Sequence, residues 1–321
     1  MANQTKQHYT PISPLTIRPD FQGNFEIYLR HDNSYVLFNG QGRKLSRDKR
    51  QELLNNITKL YIATRDIELY RQYLTEHIRA LLEDESIPLD DRTKAWTNTA
   101  IAMGRELFEK NLPGPAFANR YKRFESLLQN SSGFMQSPDS LRHLSQFMGK
   151  GYDTYHHGIS TMVYTVNLLQ EYRSGDYETL ACGMGALLHD IGKTELPRDI
   201  TAANPASLSP DDHAILALHP MLGVRACSYF NLPVIASNCI LFHHERPDGK
   251  GYPTKATPDD LPLEVKAVAL CNVYDNFTRT LPYRRAMAPF DALKRIMDTP
   301  GLAEPDMLKR LIKLLSRAKI V

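Results

Sequence analysis

Seven of the eleven histidines fall between His156 and His244, and most stand beside another ligand-type side chain at the edge of an apolar helical segment. His156-His157 opens a segment carrying Met162, Val163, Val166 and Leu169 at helical spacing. His189-Asp190 follows the apolar pair Leu187-Leu188, and His219-Pro220 follows a helix starting at Ser209-Pro210. His243-His244-Glu245 ends the run Ile240-Leu241-Phe242. Neutral imidazole and ionised carboxylate are the donors that borderline divalent metals prefer. One such histidine is most often a satisfied structural residue. Four clusters on four helical segments are what a helical bundle uses to build a dinuclear metal site from converging helices. The chain is therefore constrained to a fold in which those four segments meet.

Bulk properties narrow the class. A chain of 321 residues has room for one large domain or two smaller ones. Hydrophobic residues at 42% and charged residues at 23% match a packed globular protein. The net charge of +3, without a long Lys/Arg block, argues against a nucleic-acid groove. No apolar run reaches the ~20 residues needed to cross a bilayer. The segment Met1 to Lys6 lacks the apolar core of a signal peptide. Cys182, Cys227, Cys239 and Cys271 have no paired short spacing and sit in apolar patterns, so buried free thiols and a cytoplasmic location are expected.

Along the chain, residues 1 to about 14 are polar with two prolines and are expected as a loose lead-in. Phe25, Ile27 and Leu29 alternate with polar residues, a half-buried strand. A turn at Arg30 to Asn33, a returning strand at Tyr35 to Phe38 and a stop at Asn39 to Gly42 follow. Ser46 can cap a short helix with Leu53, Leu54 and Ile57. Residues 59–63 read as a third strand, and Ile67, Tyr70, Leu74, Ile78 and Leu81 as a helix. The acidic stretch Glu83 to Asp91 reads as a linker. Beyond it, Ala95, Thr99, Ala102, Met103 and Leu107 form a helical face, stopped at Asn111 to Pro115. Phe117, Tyr121, Phe124 and Leu128 form another, stopped at Ser131-Ser132-Gly133. Ser137-Pro138 is a helix start. The expected fold is mainly α, an all-helical C-terminal bundle with a small N-terminal α+β domain. The expected division is 1–85, a sensory or regulatory module; 86–136, a linker and connecting helices; and 137–321, the bundle.

The segment His243-His244-Glu245-Arg246-Pro247-Asp248-Gly249-Lys250-Gly251-Tyr252-Pro253 sharpens the site, because two histidines lead into a Gly-rich, charged turn. With His189-Asp190-Ile191-Gly192-Lys193, Thr154-Tyr155-His156-His157, His219-Pro220 with Gly223, Asn272-Val273-Tyr274-Asp275 and Leu281-Pro282-Tyr283-Arg284, it resembles the HD-GYP family over roughly residues 137 to 300. That family is a bacterial subgroup of the HD phosphohydrolases whose members hydrolyse cyclic di-GMP.

The resemblance implies an HD-type helical bundle and a metal-dependent cyclic di-GMP phosphodiesterase giving pGpG, GMP or both through a metal-activated hydroxide. By position it implies His157, His189, Asp190, His219, His243 and His244 as ligands of two divalent metal ions, iron or manganese, with Asp190 as their bridge. Lys193 matches the lysine on the scissile phosphate, Gly251 and Tyr252 border the substrate, and Arg284 matches a phosphate-binding base. Asp153, four residues before His157, matches the carboxylate that holds a third metal in some members. Where the family carries a metal-binding aspartate the chain has Asn272, a neutral oxygen donor. Leu281 stands where a phosphate-binding arginine is usual, with Arg279 two residues earlier as a candidate replacement. Asn272 and Leu281 keep two further readings open. One is a degenerate module that binds metal or nucleotide and signals through protein contacts; the other is a phosphohydrolase for a different cyclic dinucleotide or nucleotide. Expected partners are cyclic di-GMP and signalling proteins such as a diguanylate cyclase, with a homodimer through helices 92–130.

Overall fold

The computed structural model describes residues 8–18, 23–46, 48, 49, 53, 57, 59–110, 114–149 and 151–321. The chain separates into two compact units, Met1–Thr99 and Ala100–Val321.

The first unit is built on an antiparallel sheet of β1 (Tyr9–Ile12), β2 (Ile27–His31), β3 (Ser34–Asn39) and β4 (Leu60–Ala63), in the order β1-β4-β2-β3. The alternation around Ile27 works as the pattern requires. Phe25 and Ile27 are buried with Leu60, Ile62 and the Tyr70, Tyr73 and Leu74 side chains of α1 (Ile67–Glu83). The β2–β3 turn places Asp32 at φ 51°, a conformation that aspartate tolerates. One expectation changes. Residues 9–12, expected as loose lead-in, pair with β4, and because β1 is an edge strand it accommodates Pro11. Residues 1–7 lie outside the described residues, as does most of the expected helix after Ser46. The acidic stretch is a tight turn, in which Asp84 Oδ1 accepts from both the amide and the hydroxyl of Ser86. It leads into α2 (Leu89–Leu107), whose Ala95, Thr99, Met103 and Leu107 are buried as expected. Trp96 is fully buried on that helix, whereas Ala102 is exposed.

The second unit is helical. Its α3 (Gly114–Gln136) and α4 (Pro138–Met148) are followed by α5 (Thr154–Gln170) and α6 (Asp176–Leu188). A 3₁₀ turn at Ile191–Glu195 leads to the short α7 (Arg198–Thr201), α8 (Pro210–Leu216) and α9 (His219–Ala226). Then come α10 (Val234–Phe242), α11 (Leu263–Thr278), α12 (Pro289–Met297) and α13 (Pro305–Arg317). The expected break at Ser131 to Gly133 is absent: α3 runs on, and the Ser131 hydroxyl donates to the Leu127 carbonyl one turn back. Its stop is Ser137, whose hydroxyl accepts from the Ser140 amide to start α4. The four cysteines are buried and free. Among the described residues no helix is long and apolar enough to cross a membrane.

Helices α5 and α6 form the middle of this unit. In α5 every residue from His157 to Leu169 is buried, as expected of a helix that is covered on all sides. The two cross where Gly158 meets the end of α6, so closely that a methyl at Gly158 would lie 2.1 Å from the Leu187 carbonyl oxygen. Gly192 likewise lets the 3₁₀ turn press on α9, since a methyl there would sit 2.0 Å from the His219 oxygen. These contacts bring His157, His189-Asp190 and His219 to one place. Gly158→Ala is therefore expected to lower stability by about 3 kcal/mol, the cost of overpacking against backbone. Gly133→Ala, exposed on α3 with nothing within 4 Å of the added methyl, is expected to raise it by about 0.5–1 kcal/mol. Thermal unfolding of the two variants checks the pair, and an unchanged midpoint for Gly158→Ala contradicts the close crossing.

Candidate metal centre

The ligand-type atoms of Asp190, His219, His243 and His244 lie within 4.8 Å of one another, as do those of His157, His189 and Asp190. Asp190 belongs to both groups, and its two oxygens divide them. Oδ1 lies 3.2 Å from His219 Nε2 and 3.7 Å from His243 Nε2. Oδ2 lies 3.5 Å from His189 Nε2 and 4.0 Å from His157 Nε2. A carboxylate with a separate set of imidazoles at each oxygen is a donor set compatible with divalent metal binding.

Local structure aims the rings. Helix ends leave carbonyls without intrahelical partners. His189, just past α6, donates Nδ1–H to the Ala186 carbonyl at 2.7 Å. His219 does the same to Leu216 at the end of α8 (2.7 Å), and His243 to Ile240 near the end of α10 (2.8 Å). His157 donates instead to the Asp275 carboxylate of α11 at 2.6 Å. Carbonyl and carboxylate oxygens only accept, so Nδ1 carries the proton in all four rings. In the neutral rings Nε2 then presents a lone pair, and these lone pairs face one another. His219 Nε2 is 3.1 Å from His243 Nε2, and His157 Nε2 is 2.9 Å from the Asn272 Oδ1. His189 Nε2 and Asp190 Oδ1 are buried without a hydrogen-bond partner. Donor atoms that all sit ~2.1 Å from one ion are themselves roughly 3 Å apart. Converging lone pairs at that spacing fit a metal ion.

The protonation states agree. Burial pulls the pKa of His189 and His244 well below the ordinary histidine value and that of His243 down to about 4, so these rings are neutral near pH 7. Burial works against the charge on Asp190, but Lys193 and then the surrounding imidazoles outweigh it and hold the carboxylate ionised. The Lys193 ammonium is 2.5 Å from Asp190 Oδ2 and is partly exposed. The carboxyl ends of α6 and α10 add partial negative charge on the same side, which also favours cations.

The Gly-rich loop folds back over this cluster. A methyl at Gly251 would lie 2.4 Å from the Glu245 Cα and 2.5 Å from the His244 oxygen, so only glycine permits the approach. The Tyr252 amide donates to the His244 carbonyl, and its ring stacks on the His244 imidazole with centroids 4.5 Å apart. Glu245, almost fully buried, accepts from the amides of Thr254 and Ala256 and from the Thr254 hydroxyl, which clamps the far side of the loop.

A family model described as HD domain matches residues 162–302. A cyclic di-GMP phosphodiesterase of Pseudomonas aeruginosa is 27% identical over 186 residues, covering 57% of this chain and 44% of the relative. A cyclic di-GMP phosphodiesterase of Vibrio cholerae is 29% identical over 311 residues, covering 90% of this chain and 60% of the relative. This chain thus spans about half of the length of the curated relatives it matches. Among solved structures, the HDG"Y"P protein Bd1817 from Bdellovibrio bacteriovorus superposes with a TM-score of 0.66, covering 96% of this chain and 100% of that one, at 22% identity, which speaks for the fold. Residues 162–302 therefore match the HD domain, and the chain is similar in fold to an HD-GYP protein.

The remaining HD-GYP positions sort differently. Asn272 lies against His157, buried on α11. Asp153 stands at the start of α5, where its Oδ2 accepts from the Tyr155 hydroxyl and faces His156 at 3.5 Å, outside both ligand groups. The Arg284 guanidinium donates to the Asn276 and Phe277 carbonyls at the end of α11. Arg279, the candidate replacement for a phosphate-binding arginine at Leu281, is 1% exposed. It holds Asp275 at 2.8 Å and also donates to Ser160 and the Gly151 carbonyl, so it is committed to packing and cannot meet a substrate. Sequence reasoning missed Glu245 and Asp275 as site residues. Asp275 carried a signal, since it is three residues after Asn272 and shares its helix face. Burial opposes the charge on Asp275, and Arg279 and His157 outweigh it. Asp275→Asn should weaken metal binding by about 10- to 100-fold while the fold is kept, because the partner that orients His157 is lost. Metal titration with circular dichroism as the folding control checks this, and unchanged affinity contradicts the role.

Proposed function

We propose that this chain is a metal-dependent phosphodiesterase that hydrolyses cyclic di-GMP to pGpG, GMP or both, with two divalent ions, iron or manganese, held by His157, His189, Asp190, His219, His243, His244 and Asn272. The observation that carries it is the Asp190 carboxylate with one oxygen toward His219 and His243 and the other toward His189 and His157. The naming of the relatives as cyclic di-GMP phosphodiesterases supports the substrate.

The ions, when bound, activate water as a nucleophile and neutralise charge on the phosphate. The chain's own groups do the rest. Imidazoles already locked by their Nδ1–H bonds need no reorganisation. Lys193, paired with Asp190 and reaching solvent, can share its ammonium with a phosphate oxygen of the substrate. Hydrolysis adds water across one phosphodiester, breaking a P–O bond and leaving a protonated ribose 3′-hydroxyl. Gly251 and Tyr252 border the site, and the Arg284 guanidinium lies against the end of α11. A second reading, binding of metal or nucleotide without turnover, is favoured by the neutral amide at Asn272 and the buried state of Arg279.

The test is chromatography of cyclic di-GMP after incubation with protein loaded anaerobically with Fe(II) or Mn(II). The linear dinucleotide or GMP is expected. Replacing His189 and Asp190 by alanine should remove both metal and turnover. Lys193→Met should keep the metal and lower kcat by about 10²–10³-fold, the loss expected for one charge-stabilising group. Metal and nucleotide bound with no product would decide for the second reading.

A further inference from the structure

The buried amide of Asn272 poses a problem that an aspartate would not. Both oxygens of a carboxylate can serve a cation, whereas an amide has one useful atom and one that cannot ligate. His157 donates its Nδ1–H to Asp275, and in the neutral ring that binds a metal its Nε2 then faces Asn272 as an acceptor, 2.9 Å from Oδ1. Two acceptors at that distance repel each other unless a positive charge joins them. Without one, the amide gains by turning over and donating Nδ2–H to His157, which would close the ligand pocket. One turn further along α11, Asn276 Nδ2 donates to the same Asn272 Oδ1 at 2.8 Å. That bond favours the orientation in which the oxygen, not the nitrogen, faces His157.

We propose that Asn276 is a positioning residue that makes Asn272 an oxygen ligand, so that the two amides together stand in for one carboxylate on the His157 side of the centre. This rests on the metal-centre reading given above and adds a residue to it. A neutral donor binds a divalent ion more weakly than a carboxylate does. The His157–His189 side is therefore the weaker of the two sites. The side made by His219, His243, His244 and Asp190 uses no amide and is independent of Asn276.

The experiment is a titration of the metal-free protein with Mn(II), following the electron paramagnetic resonance signal of the unbound ion. It uses wild type, Asn276→Ala, Asn272→Asp and the double variant. Asn276 is half-buried on a helix and alanine is a good helix former, so folding is kept; circular dichroism confirms it. Wild type is expected to bind two ions with unequal affinity. Asn276→Ala should weaken the second site alone, by about tenfold or more. Asn272→Asp should tighten that site, and adding Asn276→Ala to it should change the affinity by no more than about twofold. An unchanged second site in Asn276→Ala, or an equal loss when Asn276→Ala is added to Asn272→Asp, overturns the pairing and leaves the metal centre standing. A single ion bound by wild type overturns the role of Asn272 as a ligand. No binding by wild type, or wild-type binding after replacing His189 and Asp190 by alanine, overturns the metal-centre reading itself.

Discussion

The structure of the helical unit depends on one buried carboxylate. Removing an ionised carboxylate from water costs several kcal/mol unless its surroundings compensate. Asp190 is 2% exposed, with Lys193 at one oxygen and imidazoles around both. Those groups come from separate segments, α5, the end of α6, the start of α9 and the end of α10. The compensation therefore exists only when the helices meet correctly. Gly158 and Gly192 are where that meeting is closest, and any larger side chain at either would separate the groups that keep Asp190 charged.

Ring direction is set by ordinary helix-end physics. Three times the chain places a histidine just after a helical turn and lets its Nδ1–H satisfy the carbonyl three residues back. The same bond fills an orphan acceptor, fixes the tautomer and turns Nε2 inward. The site is thus pre-shaped by secondary structure, with a second layer from α11 and the Gly-rich loop. In that layer Arg279 holds Asp275, Asp275 holds His157, and Glu245 clamps the segment that brings Tyr252 onto His244.

Much of this was legible in the sequence, and the reason is local. A histidine beside a helix end, or a period of two around Ile27, is encoded within a few residues. The six positions His157, His189, Asp190, His219, His243 and His244 could be named through the resemblance to the HD-GYP family, and the structure brings them together. What could not be read depends on contacts across the fold. Pro11 and its polar neighbours looked like a loop because the pairing of β1 with β4 spans about 50 residues. Ser131-Ser132-Gly133 looked like a stop by composition, but the buried face of Leu127, Leu128, Ser131 and Met135 carries α3 through it, with the Ser131 hydroxyl satisfied within the helix. Arg279 looked available for phosphate until Asp275, Ser160 and Gly151 were seen around it.

Anomalous diffraction from crystals of the protein grown with Mn(II), recorded on both sides of the manganese absorption edge, tests the central claim most directly. The account predicts two peaks, one at each oxygen of Asp190, the first among His219, His243 and His244 and the second beside His157, His189 and Asn272. Peaks that do not share Asp190, or no peak within this cluster, would contradict it.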